Sequence, residues 1–277
     1  MTQNSDFTRA VGLLRTRRFT VVTGAGVSTD SGIPDYRGPS SPPRNPMTFQ
    51  QFISSPAFRR HYWARNHVGY RFMREVHPNE GHRALARMEA RGLITGVITQ
   101  NVDLLHQKAG ANRVIDLHGR SDTVICLRCR TRISRDHMQV RLEIANPDFN
   151  VEVDDVEIAP DADAVLEATT DFVVPDCEVC GGLLKPDVVY FGESVPRPTV
   201  ARSYKLVDEG EALVVVGTSL AVMSGLRFIR YAAQANTPVI IINRGPTRGD
   251  HYASVKLDTG TTETLLALEH DLSRHIT

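Results

Sequence analysis

Short apolar runs recur along the chain, and most of them are rich in Val and Ile. Six such runs are FTVVTG (19–24), LITGVIT (93–99), RVIDL (113–117), ALVVVGT (212–218), PVIIIN (238–243) and SVKLD (254–258). Continuous apolar runs of this kind are typical of strands buried on both faces of a parallel sheet. Stretches with helical spacing lie between several of them, at 81–92 and at 224–236. The alternation predicts an α/β fold with a Rossmann-like, doubly wound parallel sheet covered by helices on both sides.

Two segments interrupt this alternation. Residues 39–80 begin with the Pro-rich GPSSPPRNP and are predicted to form a helical insertion that carries the end of a cofactor loop. Residues 121–184 contain all four cysteines and are predicted to form a small zinc-ribbon module. We therefore expect a Rossmann-like domain built from residues 1–38, 81–120 and 185–277, with the insertion and the zinc module as its two additions.

The cysteines form two C-x-x-C pairs, Cys126–Cys129 and Cys177–Cys180. Two such pairs with no cysteine left over are typical of a structural zinc site, because four thiolates at the corners of a tetrahedron neutralise the ion and leave it no open position. Gly181 and Gly182 suit the tight turn after the second pair. Two disulfides or a redox dithiol are the alternatives, and a cytosolic setting disfavours disulfides.

Charge is balanced over the whole chain but not along it. Lys and Arg together number 32, as do Asp and Glu, so the total gives no sign of a polyanion-binding protein. Most of the charged residues in 1–91 are Arg, whereas residues 142–184 contain many acidic residues and no Lys or Arg. The acidic segment would repel phosphates, so nucleic acid is not an expected partner. No apolar stretch approaches the length of a membrane span, and the N-terminus lacks an apolar signal region, so we expect a cytoplasmic protein without a membrane partner.

Polar clusters follow five of the predicted strands: GAGVS, TQNVD, LHG, GTS and NRG, in chain order. In doubly wound sheets ligands bind outside the carboxyl ends of the strands, so the clusters predict a binding site along one rim. The stretch VVTGAGVSTDSGIPDYRG (21–38) supplies the first two glycines of G-x-G-x-x-G, but Thr29 takes the place of the third. The ribose-binding acid of that fingerprint is also missing, which departs from the pattern of hydride-transfer enzymes.

The motifs GAGVSTDSGIPDYRG, TQNVD, LHG, the paired C-x-x-C, LKPDVVYFGE, VGTSL and INRGPT occur in the order and spacing found in the sirtuins. The chain thus resembles this family of NAD-dependent protein deacylases over roughly residues 12–270. YWARNHVGY (62–70), the acidic insert and LKPDVVYFGE are similar to the class II branch, in a bacterial-type form. The resemblance implies a transferase reaction that moves the acyl group of an acylated lysine to ADP-ribose and releases nicotinamide. Its partners would be proteins that carry acylated lysine.

The resemblance also implies which residues act. His118 would be the general base, and Asn101 would act on the ribose side and on the carboxamide of nicotinamide. NAD would be the co-substrate and one structural Zn²⁺ would be bound per chain. The implied NAD contacts are Gly24, Ala25, Gly26, Ser28, Pro34, Asp35, Tyr36, Arg37, Gln100, Asn101, Val102, Asp103, Gly217, Thr218, Ser219, Asn243, Arg244, Gly245 and Thr261. Tyr36 stands where many deacetylases have Phe, and the segment LDTGTTET around Thr261 matches the adenine-contacting segment of the family poorly.

The substrate is expected to bind through two features. By resemblance, Val188, Val189, Tyr190, Phe191 and Gly192 would pair with the substrate main chain as an added strand, a mode that reads little of the peptide sequence. Tyr62 and Arg65 lie three residues apart on a predicted helix and so share a face. In the sirtuin branch that removes acidic acyl groups, a Tyr-x-x-Arg pair at this place reads the distal carboxylate. The alternative is that Arg65 pairs with an acid of the protein and Tyr62 packs in the core.

Three other functions remain in view. A protein mono-ADP-ribosyltransferase would use the same bound NAD, and nothing in the motifs excludes it. A non-catalytic NAD-binding regulator would have lost the His or the Asn, and both His118 and Asn101 are present. A nucleic-acid-binding zinc ribbon is disfavoured by the acidic segment between the cysteine pairs.

Overall fold

A computed structural model describes residues 2–36, 45–151, 164 and 169–274. The chain forms two compact units. The first unit consists of Met1–Pro42, His77–Leu117 and Val195–Thr277, and the second consists of Pro43–Val76 and His118–Ser194. Much of the predicted helical insertion and of the predicted zinc module lies in the second unit. Helices and strands are numbered in chain order below.

The first unit is built on a six-stranded parallel sheet with the strand order β3-β2-β1-β7-β8-β9. Its strands are β1 (Phe19–Thr23), β2 (Ile94–Thr99), β3 (Val114–Asp116), β7 (Ala212–Val216), β8 (Val239–Ile242) and β9 (Val255–Leu257). Each corresponds to one of the six apolar runs, so the sequence-based strand prediction is confirmed. The order runs outward from β1 in both directions, which places the topological switch point between β1 and β7.

In its described residues this unit has six α-helices: α1 (Thr2–Leu14), α4 (Glu80–Ala90), α5 (Leu105–Lys108), α7 (Arg197–Asp208), α8 (Met223–Gln234) and α9 (Thr261–Ser273). Successive residues of β1 point to opposite faces, so Val21 lies in one apolar cluster and Val22 in the other. The first cluster includes Leu85 of α4 and Leu265 of α9, and the second includes Phe228 of α8. Both faces are covered, which is why the strands are continuously apolar.

Local signals fix the start of α4. The side chain of Asn79 accepts hydrogen bonds from the main-chain N–H groups of Gly81 and His82, which satisfies two donors that would otherwise lack partners. The helix predicted at 81–92 is therefore confirmed with a start at Glu80. The helix predicted at 224–236 is likewise confirmed as α8.

Over the part of it that the structure describes, the second unit contains a three-stranded antiparallel sheet with the order β5-β4-β6 and three α-helices. Its elements are α2 (Phe49–Ser54), α3 (Pro56–Glu75), β4 (Gly119–Cys126), β5 (Arg132–Ser134), α6 (Arg135–Ala145) and β6 (Leu184–Val188). The hydroxyl of Ser55 caps α3 and Pro56 occupies the first turn, where its missing N–H costs nothing. Trp63 of α3 is fully buried and its indole N–H donates to the C=O of Leu184, 3.2 Å away. One apolar core thus joins the helices to the sheet of this unit.

Candidate active site and metal centre

The glycine loop after β1 lies against the loop after β7 within the first unit. The N–H of Gly24 donates to the C=O of Val216 (3.1 Å), and the N–H of Gly26 donates to the C=O of Gly217 (2.8 Å). A Cβ on Gly24 would lie 2.6 Å from the Cβ of Thr218, and a Cβ on Gly26 would lie 2.9 Å from the Cα of Gly217. Neither position can hold a side chain without moving its neighbours. The two loops therefore pack main chain against main chain, and this pair of loops, called the glycine cradle below, lies at the switch point, where doubly wound sheets bind their ligands.

A chain of hydrogen bonds links this loop to the segment after β2. The side-chain amide of Asn101 donates to the C=O of Gly24 and to Ser28 Oγ, both at 3.1 Å. Ser28 Oγ in turn donates to Asp103 Oδ2 at 2.7 Å, and the N–H of Leu105 donates to Asp103 Oδ1 at 2.9 Å. Burial raises the pKa of Asp103, and these hydrogen bonds oppose that shift. The three side chains are consequently held in one orientation before any ligand binds.

Gln100 and Thr261 secure the same rim. The side-chain amide of Gln100 donates to the C=O of Thr23 and to Thr218 Oγ1, both at 3.1 Å. Thr261, the first residue of α9, donates from Oγ1 to the C=O of Gly26 at 3.2 Å. Thr261 thus contacts the glycine loop, although the sequence around it matches the adenine-contacting segment of the family poorly. Val102, which follows Asn101, is half-buried.

The loop after β8 has a different character, because its polar groups are more exposed. Asn243 donates from its side-chain amide to the C=O of Arg244 at 2.7 Å, and the N–H of Gly245 donates to Asp258 Oδ1 at 2.8 Å. Arg244 lies 3.8 Å from Glu263, with both side chains largely solvent-exposed. Ser219, after β7, accepts at its C=O from the N–H of Arg248. These residues have the donors and the exposure that binding of the adenosine half would require.

The predicted cofactor loop falls only partly within the described residues. Gly32 adopts a left-handed conformation (φ +88°), which turns the chain into Ile33, and Ile33 is buried. Pro34, Asp35 and Tyr36 follow as half-buried residues. Arg37 lies outside the described residues.

Two buried histidines behind the glycine loop were missed by the sequence analysis. His82 Nε2 lies 3.4 Å from Ser28 Oγ, and His106 Nε2 lies 2.9 Å from Thr23 Oγ1. The two rings are 4.9 Å apart. Burial lowers the pKa of His82 to about 4 and lowers the pKa of His106 well below its usual value, so both rings are neutral at pH 7. Each histidine sits in a helix, where a single His gives no sequence signal that separates support of a site from ordinary packing.

The four cysteines come together in the second unit. All four sulfur atoms lie within 4.8 Å of one another, with Cys126 Sγ 3.5 Å from Cys180 Sγ and Cys129 Sγ 3.7 Å from Cys177 Sγ. A disulfide would place two sulfurs about 2.05 Å apart, whereas a tetrahedral Zn²⁺ with Zn–S bonds of about 2.3 Å places them about 3.8 Å apart. No disulfide joins them, and the donor set fits a zinc ion.

Two glycines allow the tight turn of the second cysteine knuckle. Gly181 has φ +64°, and a Cβ on Gly182 would lie 2.9 Å from Cys126 Sγ and 3.1 Å from Cys180 Sγ. The expectation that these glycines form the tight turn of the second knuckle is confirmed. The four thiolates would hold the ion without an open position, so its role is structural.

His118 is positioned by the sheet of the second unit. It directly precedes β4, and its C=O accepts a hydrogen bond from the N–H of Val189 at 2.7 Å. The next residue, Gly119, has φ +84°, and a Cβ there would lie 2.8 Å from the Cα of Val188. The imidazole is half-buried. The main chain at His118 and at the residue after it is therefore fixed by the end of β6 and by Val189.

The predicted substrate segment continues from β6. The C=O of Phe191 accepts from the N–H of Phe49 (2.9 Å), and the C=O of Gly192 accepts from the side-chain amide of Gln50 (3.2 Å). Tyr190 is buried, whereas Phe191 and Gly192 are exposed. The segment is thus a fixed, partly exposed edge whose main chain is already bonded at several points.

Tyr62 and Arg65 have distinct surroundings on α3. Tyr62 is buried, and its ring packs against Phe52 and Tyr190 with centroids 5.5 and 5.1 Å apart. Arg65 is half-buried; its Nε donates to the C=O of Ala164 at 2.5 Å, and its Nη1 lies 3.1 Å from His61 Nε2. Two of the acceptors of Arg65 are therefore a carbonyl and an imidazole.

A glycine cradle at the switch point of a doubly wound sheet, together with a four-cysteine module, defines a class: nucleotide-binding α/β proteins with a structural metal site. Comparison with known proteins gives the family. The model of the Sir2 family matches residues 24–224. The chain therefore belongs to the Sir2 family, the sirtuins, and the resemblance inferred from the motifs is confirmed.

Its relatives span nearly the whole chain. "NAD-dependent protein deacetylase 1" of Mycobacterium avium is 57% identical over 95% of this chain and 94% of its own length. "NAD-dependent protein deacetylase 1" of Streptomyces coelicolor is 49% identical over 95% of this chain and 87% of its own. A solved structure of Sir2 with a p53 peptide and NAD⁺ is 30% identical, has a TM-score of 0.73 and covers 95% of this chain and 97% of that one. In the described part of the chain, every helix is too short or too polar to cross a membrane.

Proposed function

We propose that this sirtuin removes acyl groups from lysine side chains of proteins in an NAD-dependent reaction. The observation that carries the proposal is the hydrogen-bonded set of Asn101, Ser28 and Asp103 attached to the glycine cradle, in a chain whose relatives are named NAD-dependent deacetylases. When bound, NAD supplies a ribose that accepts the acyl group and a nicotinamide that departs. The remaining chemistry belongs to residues of this chain.

The cradle would hold the pyrophosphate. Gly24, Ala25 and Gly26 would let the pyrophosphate approach the main chain closely, while the N–H groups of Gly24 and Gly26 bond to the end of β7 and the loop after it and keep the cradle in shape. Gln100 and Thr261 brace the cradle from two other segments, Gln100 through Thr218 and Thr261 through the C=O of Gly26. The exposed polar groups at Ser219, Asn243, Arg244 and Gly245 would contact the adenosine half.

Asn101 and Asp103 would orient the nicotinamide and its ribose. Their orientation is set before binding, because Ser28 accepts from Asn101 and donates to Asp103. A preorganised site costs no reordering when the ligand arrives. Pro34, Asp35, Tyr36 and Arg37 would close over the nicotinamide ribose and shield it from water.

His118 would act as the general base on the ribose hydroxyls. A free imidazole has a pKa of about 6.5, which lets the neutral form accept a proton at physiological pH. The rigid main chain around Gly119 supports this role, because a base must stay within hydrogen-bond reach of the proton that it removes.

The acylated lysine would enter alongside the edge formed by residues 188–192, which would pair with the substrate main chain. For the acyl chain we propose a preference for acidic groups, read by Arg65 with Tyr62. Arg offers a planar pair of donors to a carboxylate. Its present bonds to Ala164 and His61 would compete with that carboxylate, which makes the preference directly testable.

Mass spectrometry of the products tests the proposed reaction. The protein is incubated with NAD and an acyl-lysine peptide, and deacylation is expected to yield free lysine, nicotinamide and O-acyl-ADP-ribose. A peptide or protein that gains the mass of ADP-ribose while its acyl-lysine persists would instead identify a mono-ADP-ribosyltransferase. NAD binding without either product would identify a non-catalytic regulator.

A further inference from the structure

Lys185 is a buried cation on a strand that otherwise supplies apolar residues to the core. Its side chain is only 4% exposed, and it stands at the second position of β6. The ammonium donates to the C=O of Val188 at 2.5 Å and to Glu193 Oε2 at 3.0 Å. It therefore spans the whole turn that follows the strand.

Glu193 completes the connection from the other end of the turn. The same oxygen, Oε2, accepts from the N–H of Tyr190 at 3.1 Å, while the N–H of Glu193 donates to the C=O of Tyr190 at 2.9 Å. Both main-chain polar groups of Tyr190 are thus bonded to Glu193. Since β6 ends at Val188, the bonds from Lys185 and Glu193 fix Val188 and Tyr190, while His118, Phe49 and Gln50 bond to Val189, Phe191 and Gly192.

The aromatic surroundings fix the ammonium further. Lys185 Nζ lies 4.5 Å from the ring centroid of Tyr190 and 5.8 Å from that of Phe49. The Tyr190 ring packs in turn on Phe52 and Tyr62, at 5.3 and 5.1 Å. Displacing the ammonium would therefore loosen a ring as well as a turn.

Stability alone does not explain this pair. Burial lowers the pKa of Lys185 even though Glu193 raises it, which reflects the free energy needed to keep the charge out of water. Apolar residues of similar volume often replace a buried ion pair with no loss of stability. The distinctive property of the pair is its directional bonding to Val188 and Tyr190, which apolar residues could not reproduce.

We propose that Lys185 and Glu193 are positioning residues that hold the 188–193 segment in the shape to which the substrate main chain binds. The inference rests on the proposed function, because it takes that segment to be the substrate edge. Its consequence is specific: loss of the pair weakens binding of the acylated peptide and leaves binding of NAD unchanged.

Steady-state kinetics of three variants test the inference. Lys185→Met removes the ammonium at similar volume, and the double variant Lys185→Met with Glu193→Met removes both charges. We expect the KM for an acyl-lysine peptide to rise about tenfold or more in both, with the KM for NAD within about twofold of wild type. Arg132→Met is the matched control, because it breaks the exposed Arg132–Asp187 pair on the same sheet (2.7 Å) and should change neither constant.

The double variant separates positioning from stability. Its melting temperature should match or exceed that of Lys185→Met, since no unpaired charge remains, yet its peptide KM should stay high. Hydrogen exchange of the Tyr190 amide should be faster in the double variant, while the amides of β4 keep their protection. These two results would support positioning.

Three results would overturn the inference. A double variant with wild-type peptide KM would mean that the pair does not shape the substrate edge. Equal rises in the KM values for peptide and NAD would mean a general loss of structure. A wild-type protein that forms no deacylated product would overturn the proposed function itself, whereas an active wild type with unaffected variants overturns the positioning role alone.

Discussion

Ser28 determines how the residues of the glycine cradle work together. A single hydroxyl accepts from Asn101 and donates to Asp103, and it lies 3.4 Å from the ring of His82. Because Ser28 donates its only proton to Asp103, the neutral His82 ring must carry its proton on Nε2 to bond with the hydroxyl. A residue expected only to contact the cofactor thus also sets the orientation of its three neighbours.

His118→Ala should remove most deacylation while leaving NAD binding and stability nearly unchanged. A positioned general base contributes about 10²–10⁴-fold to the rate, and a half-buried side chain at the start of a strand contributes little to the core. The checks are kcat for the acyl-lysine peptide, the dissociation constant for NAD and the melting temperature. Turnover within about threefold of wild type, at matched zinc content, would assign the base role to another group.

Arg65→Met should lower kcat/KM for a glutaryl-type peptide by about 1.5–3 kcal/mol, the contribution of a hydrogen bond to a charged group, and leave acetyl and lipoyl peptides little changed. The measurement is kcat/KM on peptides that differ only in the acyl group. His61→Ala serves as a control, since it removes the imidazole partner of Arg65 without removing the guanidinium. Equal losses on acidic and neutral acyl peptides would mean that Arg65 only supports the fold through Ala164 and His61.

At the scale of elements, the pairing of β4 with β6 connects the proposed base, His118, to the proposed substrate edge. Gly119 pairs with Val188, and an irregular register separates this pair from the regular pairing that resumes at Val124. The positive φ of Gly119 and its close approach to β6 are both needed to bring the chain out of His118 in this direction. The strand pair therefore sets the geometry of two functional segments at once.

Gly119→Ala should destabilise the protein and reduce deacylation together. The left-handed conformation alone costs an L-residue about 1–2 kcal/mol, and the new methyl group would also collide with the main chain of Asp187 and Val188. Gly110→Ala is the matched control, because Gly110 also has a positive φ (+95°) but its new methyl group would meet no neighbouring atom within 4 Å. Urea unfolding and kcat/KM should show a clearly larger loss for Gly119→Ala; similar losses in the two variants would refute the collision.

The zinc module also belongs to the scale of elements, because two knuckles that are distant in the chain together supply the four ligands of one ion. Cys126 and Cys177 are also buried in the core that contains Trp63 and Tyr190. Loss of the ion would leave the two knuckles with no bond between them, and Cys126 and Cys177 would remain in this core without the metal that joins them. We therefore expect metal loss to loosen the second unit as a whole.

Cys177→Ala and Cys129→Ala should lower solubility and lower the melting temperature by at least about 5 °C, since about 1 kcal/mol corresponds to roughly 2–4 °C for a chain of this size. Wild type should release roughly one zinc per chain on denaturation. Val179→Ala is the control, because Val179 lies in the second knuckle, is 70% exposed and is not a ligand. A metal-free protein with an unchanged melting temperature and full activity would show that the metal has no structural role.

At the scale of the whole molecule, three buried histidines make stability depend on pH. Burial lowers the pKa of His82 to about 4, with Arg83 adding to the shift, and burial lowers that of His67 to about 4, with Arg135 and Arg71 adding to it. The pKa of His106 is shifted in the same direction by burial. In the unfolded chain these histidines take up protons near pH 6.5, whereas in the folded chain His67 and His82 do so only near pH 4. The free energy of unfolding is therefore highest above pH 6.5 and falls as the pH drops from about 6.5 to about 4.

His82→Gln should reduce this loss, because the amide keeps a donor toward Ser28 but does not titrate. The difference in unfolding free energy between pH 7 and pH 4 should shrink by on the order of 3 kcal/mol relative to wild type. Urea unfolding followed by far-UV circular dichroism across this range measures it. His270→Gln is the control, as His270 is an exposed residue of α9. If wild type and His82→Gln lose stability in parallel, His82 is protonated in the folded protein at a near-ordinary pH.

The sequence by itself determined the elements and the chemical inventory of this protein. Strands buried on both faces are apolar at most positions, so the runs at Val21 and Val214 were visible without a structure. Motif residues such as Gly24 and Cys126 were equally visible, because a close main-chain approach and a tetrahedral ion each admit few residue types. Each of these requirements acts on a few neighbouring residues, so each leaves a recognisable pattern in the amino-acid sequence.

The tertiary structure decided which side chains meet across long separations in the chain. His82 and His106 reach the glycine loop from two different helices, Arg65 donates to Ala164, and Lys185 joins Glu193 across a turn. No spacing rule encodes such contacts, because each depends on how separate elements pack and on which groups burial leaves in need of a partner. A buried charge or imidazole takes the partner that packing brings to it, and only the folded chain specifies that partner.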